Sequence, residues 1–139
     1  MLLVILCFGD DEASGLLMVE MLLLNKPQLP NGSLRILNIN LQSIRNKKDA
    51  LLNLITSTDT DVIIGTETWL NDSIYSSEVI PTDQFDVYRN DRVNSKGGGV
   101  LVAVRKTLVS SEIFKSNNNE LLAVKIHHTY RSSIICAYL

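Results

Sequence analysis

Cysteine is nearly absent from this chain. Only Cys7 and Cys136 occur among 139 residues, far apart and in segments of different character. They offer neither a disulfide framework nor the ligand spacing of a zinc site. A reduced, intracellular setting follows, and Cys136, set between Ile135 and Ala137, reads as a small buried hydrophobe. Long apolar runs are missing as well. Met1–Phe8 and Leu16–Leu24 each fall well short of the ~20 residues needed to cross a bilayer, so no membrane span is expected. No charge of one sign dominates: the net charge is −2, which is weak evidence against a nucleic-acid binder. Internal repeats are lacking, and Ser116-Asn117-Asn118-Asn119 is a polar loop too short to be a low-complexity tract.

What is present divides near Asn31. Residues 1–33 hold Asp10, Asp11, Glu12 and Glu20 against Lys26 alone, a charge of −3, leaving +1 for the remainder. Met1–Phe8 is similar to a shortened secretory apolar stretch. It lacks a basic residue in front and is followed by acids instead of a small-residue cleavage site, so secretion is not expected. Pro27, Pro30 and Asn31-Gly32 then punctuate the chain as a linker does. The expected division is an apolar and acidic leader with linker over 1–33, outside the domain, and a domain over 34–139.

From Leu34 the pattern is regular. Leu34–Asn40 predicts a strand. Ser43 is placed to cap a following helix, in which Ile44, Leu51, Leu54 and Ile55 recur at helical spacing and which Thr56–Asp59 ends. Asp61–Thr66 is a nearly continuous, β-branched apolar run, the pattern of a strand covered on both faces. Strand, helix and strand make a βαβ unit with parallel strands. Asn40 and Glu67 would then meet beyond the carboxyl ends of those strands, where open α/β sheets place their chemistry. Further strands are expected over Phe85–Arg89, Val100–Val104, Glu120–His127 and Ser132–Tyr138.

Each candidate has a plainer reading. Glu67 could be a solvated loop charge, Asn40 a turn residue, and Tyr138 a core aromatic with its hydroxyl at the surface. Trp69 is more often a packing anchor than a DNA-stacking surface. Gly97-Gly98-Gly99 lacks the spacing of a phosphate loop and reads as a flexible turn feeding the next strand. His127 and His128 have no third ligand at useful spacing. Arg89, Arg92, Lys96, Arg105 and Lys106 cluster with Asp91 as the only acid between them. Arg92 and Lys96 are the candidates for DNA contact in that cluster; solvated hairpin charge is the alternative.

The order Asn40-Leu41-Gln42-Ser43-Ile44-Arg45-Asn46-Lys47, then Asp61-Val62-Ile63-Ile64-Gly65-Thr66-Glu67-Thr68-Trp69-Leu70, then Asn90-Asp91-Arg92 with Gly97-Gly98-Gly99-Val100, then Ala137-Tyr138 resembles the endonuclease/exonuclease/phosphatase superfamily. Within it the chain is similar to the apurinic-type endonuclease domain of non-LTR retrotransposons of the Jockey and CR1 kind. Glu67-Thr68-Trp69-Leu70 is the most discriminating piece, because host repair enzymes usually carry another run after the glutamate. The resemblance covers residues 34–139 and rests on order and spacing together.

That resemblance implies an α/β fold: part of an α-β-β-α sandwich, with a mixed sheet and helical cover, truncated to the N-terminal half. It implies that Glu67 binds a divalent ion, Mg2+ or Mn2+ in its place, in the complete domain. Asn40 would arrange that carboxylate and the scissile phosphate, and Tyr138 would contact the phosphate. The reaction would be Mg-dependent hydrolysis of a phosphodiester in target duplex DNA, in the nucleus, with the nick priming reverse transcription. The superfamily's Gly-Asp-Phe-Asn and Ser-Asp-His segments do not occur here. Groups that act as a unit lose most of their effect when several are missing, so no appreciable activity is expected of the chain alone. The alternatives are a non-catalytic nucleic-acid-binding or interaction module and a phosphatase branch of the same fold. The sequence leads one to expect a single sheet with part of its cover, the face meant for a second sheet being exposed and poorly soluble.

Overall fold

A computed structural model describes residues 2–7, 33–93 and 95–139, the first of these stretches by its backbone alone. Eight strands, one helix and two 3-10 turns make up the described residues. Strand β1 (Leu2–Cys7) precedes β2 (Arg35–Asn40), and the helix α1 (Lys48–Thr58) leads to β3 (Val62–Thr66). There follow β4 (Phe85–Asn90), β5 (Val100–Arg105), β6 (Val109–Lys115), β7 (Leu121–His127) and β8 (Ser132–Tyr138). They form a five-stranded mixed sheet in the order β1-β2-β3-β5-β4 and a three-stranded antiparallel sheet in the order β6-β7-β8.

The βαβ unit stands as read. Strands β2 and β3 are parallel, with Ile36 opposite Val62 and Asn40 opposite Thr66. Ile44, Leu51, Leu54 and Ile55 are all buried, and Asp59 closes α1 in the left-handed conformation. The period of two along β2, β3 and β5 divides their side chains between two cores. Leu37, Ile39, Ile63, Leu101 and Ala103 face the helical layer, packing with Leu51, Ile55 and Phe85. Ile36, Val62, Val100, Val102 and Val104 face the second sheet and meet Leu122, Val124, Ile126 and Ala137. Each fully buried Val, Leu or Ile contributes about 1.5–3 kcal/mol of transfer free energy, so both cores matter to the fold.

That second core overturns the expectation of one sheet with a bare inner face. The unanticipated element is β6, whose residues are mostly exposed and whose pairing with β7 slips between Glu112 and Phe114. A bulge breaks the alternation by which a strand is recognised. With β6 present, β7 and β8 form a sheet that covers the inner face of the first.

Other differences are local. Ser43 makes no capping bond; it has φ 79° and precedes a 3-10 turn over Ile44–Lys47 that delays the α-helix to Lys48. Cys136 is exposed, because alternation along β8 puts Ile135 and Ala137 inward and Ile134, Cys136 and Tyr138 outward. The sequence reading set residues 1–33 apart, whereas the backbone of Leu2–Cys7 runs parallel to β2, with Cys7 opposite Asn40. The acidic and apolar stretches between Phe8 and Gly32 lie outside the described residues. No helix among the described residues is long and apolar enough to cross a membrane.

Candidate functional site

Asn40 is the last residue of β2, and Glu67 lies one residue beyond β3. Pairing continues past both strands. The Leu41 amide donates to the Thr66 carbonyl at 2.9 Å, that of Ser43 to Glu67 at 3.0 Å, and that of Ile44 to Thr68 at 3.1 Å. The two loops are therefore fixed side by side beyond the sheet. Backbone strain gathers in them: of the five non-glycine residues with positive φ among the described residues, Gln42, Ser43, Glu67 and Trp69 sit here and Asp59 lies elsewhere. Such strain persists where the surroundings over-determine it, which is often at a functional site. Asn40 Oδ1 accepts from the Gln42 amide at 3.3 Å, so the side chain also shapes its own loop.

The Glu67 carboxylate is held on one side. Its Oε2 accepts the Trp69 indole N–H at 2.8 Å and the Gly98 amide at 3.1 Å. The indole bond is the chief reason its pKa lies below the ordinary 4.5; partial burial opposes this, while the Gly98 amide and the Arg92 charge reinforce it. Glu67 is accordingly an anion at neutral pH. No hydrogen bond reaches Oε1 from the described residues. Trp69 is thus not the buried packing anchor weighed from the sequence. It is 46% exposed, and its N–H orients a carboxylate.

The glycine run is a built turn rather than a flexible one. Gly97, Gly98 and Gly99 have φ of 82°, 68° and 84°, a region that L side chains rarely adopt. Thr68 and Trp69 donate their amides to the carbonyls of Gly99 and Gly98, at 3.2 and 2.9 Å. Gly98 donates to Glu67, and Gly99 donates at 2.6 Å to Oε2 of Glu120. Glu120 also pairs with Arg92, and its carbonyl accepts the Leu139 amide at 3.1 Å. A continuous hydrogen-bonded chain therefore runs from Glu67 through the glycines and Glu120 to the end of β8. Sequence reasoning missed Glu120. Its signal was a carboxylate bordering an apolar strand, the same signal that marked Glu67.

Tyr138 stands at this end of the second sheet, opposite Leu121 and 68% exposed on the outer face. Its exposure rules out the core-aromatic alternative. Asn40 and Glu67 are side by side, while Tyr138 shares their end of the sandwich on the neighbouring sheet and has no hydrogen bond to either among the described residues. The basic cluster is dispersed. Arg89 binds Asp91 and the carbonyls of Ile74 and Asn71, Arg105 binds the Thr60 carbonyl and lies over the Phe85 ring, and Lys106 faces Asp86. Arg92 is engaged with Glu120, and Lys96 is exposed in the glycine turn. His127 and His128 hydrogen-bond Ser111 and Ser133, as structural residues do.

A groove of about 860 Å3 opens beside this chain of bonds, lined among others by Asn71, Arg92, Asn118 and Leu139. No protein-family model and no curated sequence matches the chain. Among solved structures it is similar to the endonuclease domain of TRAS1, a telomere-specific non-LTR retrotransposon, with TM-score 0.55 and 16% identity over 76% of this chain and 44% of that one. The chain has the endonuclease/exonuclease/phosphatase fold. The human Nocturnin catalytic domain is a further match, with TM-score 0.48 and 13% identity over 74% of this chain and 47% of that one. The chain thus spans less than half of the TRAS1 domain. Among the described residues no three Asp, Glu, His or Cys side chains converge as a metal cage. The donor set fits a hydrated Mg2+, which takes one or two carboxylates and completes its shell with water and phosphate oxygens. Glu67 would be its single protein anchor.

Proposed function

We propose that the chain carries the Asn40–Glu67 part of a divalent-cation-dependent DNA endonuclease site of the retrotransposon kind. The observation that carries the reading is the ionised Glu67 carboxylate, fixed just beyond β3 with one oxygen bonded twice and the other without a hydrogen bond from the described residues. The solved TRAS1 domain of the same fold supports it. A bound Mg2+ or Mn2+ would supply charge stabilisation at a phosphate oxygen. On this reading Glu67 holds the ion, Asn40 orients the carboxylate and the phosphate, and Tyr138 donates its phenol to a non-bridging oxygen.

Lys96, in the glycine turn, would meet the DNA backbone. Arg92 would act mainly through Glu120 and Glu67, since its charge is already engaged. The substrate would be target-site duplex DNA, which places the activity in the nucleus. The chain spans less than half of the TRAS1 domain, so on this reading it supplies only part of the site and would not turn over by itself. That observation also gives weight to a second reading, binding without chemistry.

The test is nicking of supercoiled plasmid in MgCl2 and in MnCl2, by this chain and by a reading frame extended to the length of the TRAS1 domain, each beside its Glu67→Gln variant. Nicking by the extended protein that Glu67→Gln abolishes supports the proposal. Nicking that survives Glu67→Gln would remove it, and metal-independent duplex binding without nicking would favour the second reading.

A further inference from the structure

The two donors to Glu67 do not share its carboxylate evenly. Both the Trp69 indole and the Gly98 amide bond Oε2, at 2.8 and 3.1 Å, and neither touches Oε1. A carboxylate has about four lone-pair sites over its two oxygens, so two N–H donors fill one oxygen and leave the other open. The arrangement is braced from behind. The Trp69 amide donates to the Gly98 carbonyl at 2.9 Å, so loop and turn hold each other. Gly97, with φ +82°, lies against the ring: a Cβ there would sit 3.4 Å from Trp69 Nε1, an ordinary van der Waals distance. Burial does not explain the residue, since the indole is nearly half exposed.

We propose that Trp69 is a positioning residue which, with the Gly98 amide, restricts Glu67 to one-oxygen contact with a divalent cation and so favours Mg2+ over Ca2+. The inference rests on the reading of Glu67 as the cation-binding carboxylate. Its physical basis is coordination chemistry. Ca2+ takes six to eight oxygens in flexible geometry and readily accepts both oxygens of one carboxylate, whereas Mg2+ demands a tight octahedron built from single oxygens and water. With Oε2 occupied by two N–H groups, two-oxygen binding would have to displace both. Losing the indole donor leaves only the Gly98 amide on that oxygen and loosens the ordering of the group. Trp69→Phe keeps the aromatic bulk while deleting the N–H, and Trp69→His keeps a ring N–H.

The test is titration of the whole chain with MgCl2 and separately with CaCl2, following the Gly98 amide by 1H–15N NMR, in wild type, Trp69→Phe, Trp69→His and Glu67→Gln. Wild type is expected to favour Mg2+. In Trp69→Phe the Mg2+-to-Ca2+ affinity ratio falls by about tenfold, the lower end of what loss of a ligand-orienting partner costs. Trp69→His retains more of the ratio, and Glu67→Gln loses both ions. Because the ratio is internal to each variant, general loosening of the fold does not move it. An unchanged ratio in Trp69→Phe, even with both affinities reduced, overturns the positioning role and leaves the Glu67 reading standing. If Trp69→Phe fails to fold, Trp69→Leu, which also lacks a donor, takes its place: a ratio below wild type supports the role and an unchanged one overturns it. Failure of both ions to move Gly98 in wild type, or wild-type binding in Glu67→Gln, overturns the Glu67 reading and this inference with it.

Discussion

At the scale of single residues, the site is a carboxylate whose ionisation is set by its neighbours. The Trp69 and Gly98 donors favour charged Glu67, so its folded pKa lies below its ordinary value. A lowered carboxyl pKa contributes stability that is fully present above the ordinary value and lost as pH falls through the folded one. The stability gap between wild type and Glu67→Gln should therefore be widest near neutral pH and close as acid is added below about 4.5. Urea unfolding at a series of pH values reads this directly, and a gap that widens in acid would contradict it. Gly98 gives a second prediction. A Cβ there would collide with the Arg92 guanidinium, on a backbone with φ +68°. Gly98→Ala should cost about 1–2 kcal/mol from the left-handed backbone alone, and it should move Arg92 off Glu120. Glu67 and Asn40 were legible because a polar residue directly after a buried strand stands out against an apolar run. Trp69's role was not legible, since an indole N–H bond to a residue two positions away leaves no mark in composition or period. Glu120 carried the mark of a carboxylate bordering a strand, but its role was not legible for a related reason: its partners Gly99 and Arg92 are brought to it only by the packing of one sheet on the other.

At the scale of elements, a buried amide at the end of β4 helps to tie the two sheets together. Asn90 is 7% exposed, and its Nδ2 lies 3.0 Å from each of the carbonyls of Ser116, Asn119 and Leu121. Two of these carbonyls belong to the loop between β6 and β7 and the third to the first residue of β7, so one side chain of the first sheet shapes a hairpin of the second. Replacing Asn90 with Ala leaves those acceptors short of a donor, at a cost of about 1–3 kcal/mol. The effect should appear as lost hydrogen-exchange protection in residues 116–121 before the rest of the fold responds, and uniform loss over all strands would argue against it. The helical layer offers a contrast. Leu101 is fully buried beneath it, and Leu101→Ala should lower global stability by roughly 2–5 kcal/mol in chemical denaturation. Strands β3 and β5 could be read from sequence because each is apolar on both faces, and β2 from the apolar residues Ile36, Leu37 and Ile39. Strand β6 could not, because its residues are mostly exposed and its bulge interrupts the period.

At the scale of the whole molecule, the exposed apolar surface lies one layer further out than the sequence suggested. The inner face of the five-stranded sheet is covered, and the open face belongs to β6, β7 and β8. Phe114 is 51% exposed, Ile134 60% and Tyr138 68%. They share one side, since Phe114 pairs with Ala123, Ala123 with Cys136 and Lys125 with Ile134. Soluble monomers seldom leave such a contiguous face bare, and β6 and β8 are both edges with unpaired backbone groups that invite further pairing. The chain should therefore bind a hydrophobic dye such as ANS while folded and self-associate as concentration rises. The double variant Phe114→Lys with Ile134→Lys places charge on that face without touching either core, so dye binding and sedimentation of large species should both fall while the thermal transition is kept. Loss of the transition would show that these side chains hold the second sheet together, and unchanged dye binding would place the sticky surface elsewhere. The same variant separates solubility from chemistry, because its substitutions lie away from Glu67 and the glycine turn. Any gain in soluble protein should then leave the cation response of Gly98 as it was.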